Sequence, residues 1–405
     1  MKSRKFYGWY VVGINAVIGC IMSAGFPQSS MTASYLAEAM GVTQEAVLVG
    51  DTVKTVGIVL SMMLSGIAYQ KLGLKKSFIL SMAAVVAPLA VTPHVTSLSV
   101  LYVLKFIQGL SSLVFPQFLV IIMDWIAEKD RGLSTAIYTG VFYGGAGIGG
   151  TFSGFVIETM GWQASFYALS LLQAAASLVW LFTVREKERP VEPLPEQRGG
   201  FGSMLKKPLV WLLVISFIAT TWSVQAISVD MSLFGADLGY GDLETGKLMS
   251  AITIGIVAAC IVSGKLSDFM ASRSRNKATA RIWALAVGCA VIVISVACLL
   301  LADLSSFMVF YGLVLFFSFG AAWGLGSFYC ILPELFDEET VPVATGFIGG
   351  CGDAGMTLGP VGVGILCGIR GYWGLGWGLC AAIAVASLLA CLIMIKLSLR
   401  MKERS

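Results

Sequence analysis

The chain has 405 residues, of which 57% are hydrophobic and 12% charged, with a formal net charge of +4. A soluble domain carries roughly twice that charged fraction, so the composition excludes an ordinary water-soluble protein and gives no footing for a nucleic-acid partner. Apolar runs of about 20 residues recur along the whole length, which predicts a helical membrane protein with many spans. A spanning β-barrel would instead show alternating segments of about 10 residues.

In chain order the apolar runs fall at residues 8–35, 44–70, 76–93, 98–126, 134–158 and 162–184, then 208–235, 243–267, 281–303, 306–332, 342–366 and 372–396. The first lacks a small-residue cleavage site and is followed by further runs, so it reads as a span and not as a signal peptide. The expected fold is all-α: twelve transmembrane helices in two pseudo-symmetric six-helix bundles. These cover residues 1–184 and 208–405. Between them lies a cytoplasmic linker, residues 185–207, that carries Pro190, Pro193, Pro195, Gly199 and Gly200.

Basic residues fix the expected orientation. With both termini in the cytoplasm, 23 of the 27 Lys and Arg residues lie on the cytoplasmic side. The exceptions are Lys54, Lys105, Lys247 and Arg370. The expected location is the inner, cytoplasmic membrane of the cell.

The halves repeat one another. Gly57-Ile58-Val59 and Ser65-Gly66 recur 198 positions later as Gly255-Ile256-Val257 and Ser263-Gly264, and Gln28 matches Gln225. Asp124, Glu128, Thr135, Gly140 and Gly145 match Glu334, Glu338, Thr345, Gly350 and Gly355 at an offset of 210. Two parallel repeats imply a pseudo-two-fold axis along the membrane normal, with a substrate site between the halves near the midplane.

These residues resemble the major facilitator superfamily over nearly the whole chain. The turn from Gly66 to Lys76, with Lys71, Gly73, Lys75 and Lys76, resembles its signature loop, with Gln70 where the family usually carries an acid. Gly264-Lys265-Leu266-Ser267-Asp268 is similar to the second copy. Lys105-Phe106-Ile107-Gln108-Gly109 resembles the family's Arg-x-x-Gln-Gly motif, with Lys for Arg. Gly144, Gly145, Gly147, Gly149, Gly150 and Gly154, followed by the segment from Gly161 to Phe166, resemble the family's glycine-rich hinge. The resemblance implies that Gly66, Gly73, Lys75, Gly264 and Asp268 form conformational loops. The residues from Gly144 to Gly150, among them Gly147 and Gly150, are expected to pack against the other half and permit rocking. More narrowly, the segment from Phe6 to Val12 is similar to the start of oxalate/formate antiporters and monocarboxylate transporters, which implies a small carboxylate substrate. The Arg that those families usually place in span 8 is absent from the stretch Leu248 to Gly264.

Intramembrane charge is costly and points to function. Lys54 lies near the middle of a span about 40 Å long, one turn from Asp51. Lys105 lies at a depth near that of Asp51. Asp51 can neutralise one lysine, through an i,i+3 contact in the case of Lys54, leaving one cation for an anionic substrate. The alternatives are a structural network tying spans 2 and 4, or snorkelling of Asp51 and Lys105 toward the outer surface. Asp353, near the middle of span 11, is the expected proton carrier, since desolvation favours its neutral form. Asp51 is a second candidate. Gln28, Tyr143, Trp222, Gln225 and Trp323 are expected to line a substrate pocket, with Tyr138 and Tyr329 as further candidates.

His94, the sole histidine, sits in a short outer loop, and the nine cysteines show no close-spaced metal pattern, so neither cofactor nor metal is expected. With one histidine, no nucleophile–base pair and no loop long enough for a folded domain, neither an enzyme nor a sensor fits. The expectation is a monomeric secondary transporter in contact with membrane lipid. It would move a small anion, a mono- or dicarboxylate, by alternating access, with proton symport or anion exchange. A proton-coupled efflux pump for amphipathic compounds is the alternative, supported by the Met-rich interior and Asp353.

Overall fold

The computed structural model describes residues 2–186, 201–337, 340–370 and 373–403. Within them the chain is helical almost throughout: α1 Lys2–Met40, α2 Gln44–Val91, α3 Leu98–Leu110, α4 Val114–Trp125, α5 Arg131–Met160, α6 Trp162–Thr183 and the short α7 Phe201–Leu205. Then follow α8 Pro208–Asp237, α9 Asp242–Arg273, α10 Lys277–Leu301, α11 Phe307–Ser327, the short α12 Leu332–Leu335, α13 Val341–Arg370 and α14 Trp373–Glu403. A helix satisfies its own backbone polar groups, which an apolar surrounding demands. Hydroxyls follow suit: Thr32, Thr139 and Thr345 each donate to the carbonyl four residues back. Most of the expected linker, residues 187–200, lies outside the described residues.

Ten helical stretches among the described residues are long and apolar enough to cross a membrane. The expected spans 44–70 and 76–93 fall in one helical run, α2, but the run is not straight. Gly73 has φ 74 and ψ 170, a conformation that glycine adopts without steric cost. Ser77 Oγ then donates to the Ala68 carbonyl at 3.4 Å. In a continuous helix nine residues would separate these groups by about 13 Å, so the chain folds back at Gly73. α3 and α4 are joined by a 3-10 turn, Ser111–Leu113, and make one interrupted span.

The chain divides into two compact units. The first holds residues 1–125 and 141–184, and the second holds 126–140 and 185–405. In the first unit α2 crosses α3 at backbone contact. A Cβ on Gly109 would stand 2.1 Å from the Lys54 carbonyl oxygen, and one on Gly57 would stand 2.5 Å from that of Phe106. Any side chain at either position would force the helices apart. Trp180 closes the core, donating to Asn15 Oδ1 at 2.7 Å and stacking on Phe78.

The second unit repeats this crossing between α9 and α11. There a Cβ on Gly255 would meet the Leu315 carbonyl oxygen at 2.9 Å. The start of α5 belongs to this unit because of Asp268 on α9. Its carboxylate accepts from the Gly132 and Leu133 backbone N–H groups at 2.9 Å each, capping the positive end of the α5 dipole. Arg281 Nη1 donates to the same carboxylate at 3.1 Å.

Candidate functional site

The close crossing at Gly57 and Gly109 sets the site, because it carries Lys54 and Lys105 on the two helices just beside it. Lys105 Nζ pairs with Asp51 Oδ1 at 2.8 Å, with side-chain exposures of 6% and 32%. Ser29, on α1, completes a three-helix knot. Its hydroxyl donates to the Asp51 carboxylate at 2.8–2.9 Å and accepts from Lys105 Nζ. Asp51 is therefore neutralised by Lys105, and not by Lys54 one turn along its own helix. Snorkelling also fails for Lys105, whose ammonium is turned into the unit.

Lys54 is left over. It is 5% exposed, and among the described residues its ammonium has no hydrogen bond or ion pair. It lies 4.1 Å from the centre of the Phe26 ring, a cation–π contact that offsets only part of the cost of burying a charge. It also feels the opposed charges of Lys105 and Asp51. Lys54 Nζ and Gln108 Nε2 both come within about 4 Å of the point where a side chain on Gly25 would begin. An ammonium and a carboxamide thus converge on a spot that glycine keeps free.

The remaining expected ligands are spread out. Gln28 is buried and donates to Ser165 Oγ at 3.2 Å, which ties α1 to α6. Tyr143 is buried with its ring edge-on to Phe142. Trp323 donates to the Ala284 carbonyl at 2.7 Å and packs on Gly288, so its indole joins α11 to α10. Trp222 is wedged against Gly359 and Gly362 of α13, and Gln225 is half-buried one turn away. Asp353, on α13, is 3% exposed and lies beside Tyr329, which in turn lies near Tyr138. The structure therefore gathers Asp51, Lys54 and Lys105 into one site and places Asp353 in a different unit.

Of the loop residues, Gly66 is buried in α2, Gly73 makes the reversal and Lys75 is exposed. Gly264 abuts Gly132 and Ala136 of α5. The glycine stripe of α5 departs from expectation. Cβ atoms on Gly145 and Gly149 would collide with Cys20 and Ala24, and Gly150 faces Pro27. This stretch packs on α1 of its own unit, while Gly147 is half-buried.

Two residues escaped the sequence reading. Ser29 gives no signal of its own, because its partners come from two other helices. Asp230, a buried acid in the apolar run of α8, was there to be noticed by the same rule that singled out Asp353.

A bundle of long apolar helices with a buried lysine in its first unit defines a polytopic membrane protein. The chain belongs to the Major Facilitator Superfamily, whose profile matches residues 14–290. It is 24% identical to mouse sodium-dependent phosphate transport protein 1 over 170 residues, 37% of each chain. It is also 24% identical to a chloroplastic ascorbate transporter of Arabidopsis thaliana over 212 residues, 48% of this chain and 38% of that one. The chain thus spans well under half the length of these relatives. The solved structure of the human organic anion transporter MFSD10 (TETRAN) superposes with a TM-score of 0.72 at 13% identity, covering 96% of this chain and 99% of that one. That likeness shows the fold.

Proposed function

We propose that the protein is a secondary active transporter of a small organic anion, a carboxylate, and that Lys54 is the residue that attracts it. The observation that carries this reading is the buried Lys54, which has no carboxylate partner among the described residues. A lone intramembrane cation is costly unless something negative meets it during the working cycle. Lys105 serves the site by holding Asp51 away from Lys54, and Gln108 supplies a neutral donor at the same spot. The relatives support the sign of the cargo, since their names specify phosphate, ascorbate and organic anions. The same surplus positive charge argues against efflux of cationic amphipathic compounds.

Counting the two arms of α2 separately, and adding α13 to the ten stretches, gives twelve spans in two six-helix bundles. On this reading both termini lie in the cytoplasm, the membrane is the cytoplasmic one and the unit of transport is a monomer. Alternating access moves the anion, and Asp353 carries the coupling proton if transport is symport. Without such coupling the cycle is an anion exchange. Counterflow in proteoliposomes with a panel of mono- and dicarboxylates plus inorganic phosphate tests the reading. Saturable uptake of one carboxylate, unaffected by organic cations, is the expected result. Counterflow with organic cations and none with the anions would overturn it.

A further inference from the structure

The second unit holds a buried carboxyl that the anion site does not use. Asp230 is 4% exposed, and its Oδ2 is buried without a hydrogen-bond partner. Among the described residues no ion pair reaches it. The helix contacts show what surrounds it. One turn outward on α8, Phe234 packs on the rings of Trp373 and Trp377 of α14, at 5.4 and 5.9 Å between centroids. One turn past Trp377 on α14, Cys380 lies beside both Asp230 and Trp222. Asp230 therefore sits in the α8–α14 seam, between an aromatic lid and the Trp222 ring. Trp377 is fully buried, and its indole Nε1 also finds no acceptor. Trp222 Nε1, on Asp230's own helix, is likewise without an acceptor, so the seam holds an orphaned acceptor and two orphaned donors, of which Trp377 lies on the facing helix. Such a set is rare, because buried polar groups are nearly always satisfied.

The charged and titratable groups on the neighbouring helices do not account for Asp230. α14 presents the Cys380 thiol. The acid of α13, Asp353, lies beside Tyr329. Tyr311 of α11 shares a hydrogen bond with Ser250 of α9, and Lys247 of α9 is exposed. No charge among the described residues acts on Asp230. A carboxylate with neither cation nor donor in such surroundings carries a heavy desolvation cost.

We propose that the α8–α14 seam is a proton-binding site, in which Asp230 holds the proton and the Trp377 indole N–H receives the carboxylate once the proton leaves. The two states balance without any other reactant. In one, Asp230 is a neutral acid and the indole is unpaired. In the other, the proton has gone to water and the indole N–H donates to the carboxylate. A small shift of α14 along α8 selects between them, so the seam couples protonation to helix position.

The test needs no knowledge of the cargo, so its failure is separate from failure of the anion reading. Infrared difference spectroscopy of the purified full-length protein, stepped from mildly acidic to mildly alkaline pH, reads protonated carboxyl groups directly. The wild type should show a buried carboxylic acid band that Asp230→Asn removes and Asp353→Asn leaves in place. Trp377→Phe should move its titration upward by about one pH unit, the value of one hydrogen bond to a charged group. If Asp230→Asn does not fold, Asp230→Glu keeps the acid and should shift the band frequency. An Asp230→Asn spectrum that superimposes on the wild type at every pH, or a band unmoved in Asp230→Glu, would overturn the site. An unchanged titration in Trp377→Phe would remove the indole from it.

Discussion

Replacing Lys54 by Gln tests the site and its energetics together. The change keeps a long polar side chain but removes the one buried cation of the first unit that has no carboxylate partner among the described residues. If an anion pairs with it, truncating that pair costs about 2–3 kcal/mol, at the lower end of buried charge pairs because Gln108 and Phe26 remain. At 1.4 kcal/mol per decade, affinity should fall by about 30- to 150-fold. Lys54→Arg should recover part of the loss, because charge survives while shape differs. The folded state should respond in the opposite sense. Lys54 has only a ring at 4.1 Å to offset its burial, so Lys54→Met should raise the melting temperature in detergent, as expected where function costs stability. Counterflow supplies the affinity and a thermal-shift assay the stability. Unchanged affinity in a well-folded Lys54→Gln would refute the role. A lower melting temperature in Lys54→Met would refute the claim that the cation is unsatisfied.

Other predictions follow from the same geometry. Asp51→Asn leaves Lys105 buried without its partner and should cost about 1–3 kcal/mol, discounted because Asp51 is one-third exposed. The double variant Asp51→Asn with Lys105→Met should be closer to wild type than either change alone, which a thermal-shift cycle would read. Gly149→Leu should abolish folding, since even a Cβ there would lie 2.3 Å from Ala24. Asp353→Asn, if this acid carries the coupling proton, should exchange substrate but fail to accumulate it under an imposed pH gradient. Asp268→Ala should destabilise by about 1–3 kcal/mol through loss of the α5 cap and the Arg281 pair, and Asp268→Asn by less, because an amide oxygen still caps.

Much of this was legible in the sequence because membrane helices write their boundaries in hydropathy and charge. The runs from residue 8 to 396 match helices, and the basic turn around Gly73 marks a true reversal. Intramembrane charge was equally readable, since Asp51, Lys54 and Lys105 stand out against apolar neighbours. What spacing could not supply was the partner of Asp51. Lys54 is nearer along the chain, yet Lys105 wins because the Gly57–Gly109 crossing brings α3 against α2 and Ser29 of α1 adds a hydroxyl to that pair. Helix rotation was hidden for the same reason. A glycine stripe shows that something packs closely, not which helix does, and so Gly145 and Gly149 were expected to face the other half. The partners of polar aromatic residues were hidden in a similar way, as Trp323 spends its only donor on the Ala284 carbonyl.

The internal repeat gives the strongest argument that the charges of the first unit serve transport and not packing. Gly57 and Gly255, 198 positions apart, make the same kind of backbone-close crossing, one with α3 and the other with α11. The backbone problem is thus solved twice with the same residue type. At the same offset, Asp51 and Lys54 correspond to Met249 and Ile252, and at the offset of 210 Lys105 corresponds to Leu315. The second crossing holds together with apolar side chains at all three places, and Ile252 is buried there. The fold therefore does not require ions at these positions. Buried ion pairs are often replaceable by well-packed apolar groups without loss of stability, and this chain carries the apolar version in its own second half. On the function proposed above, two lysines and an aspartate kept in the first half, at a cost the second half avoids, are accounted for by a negative cargo that they grip.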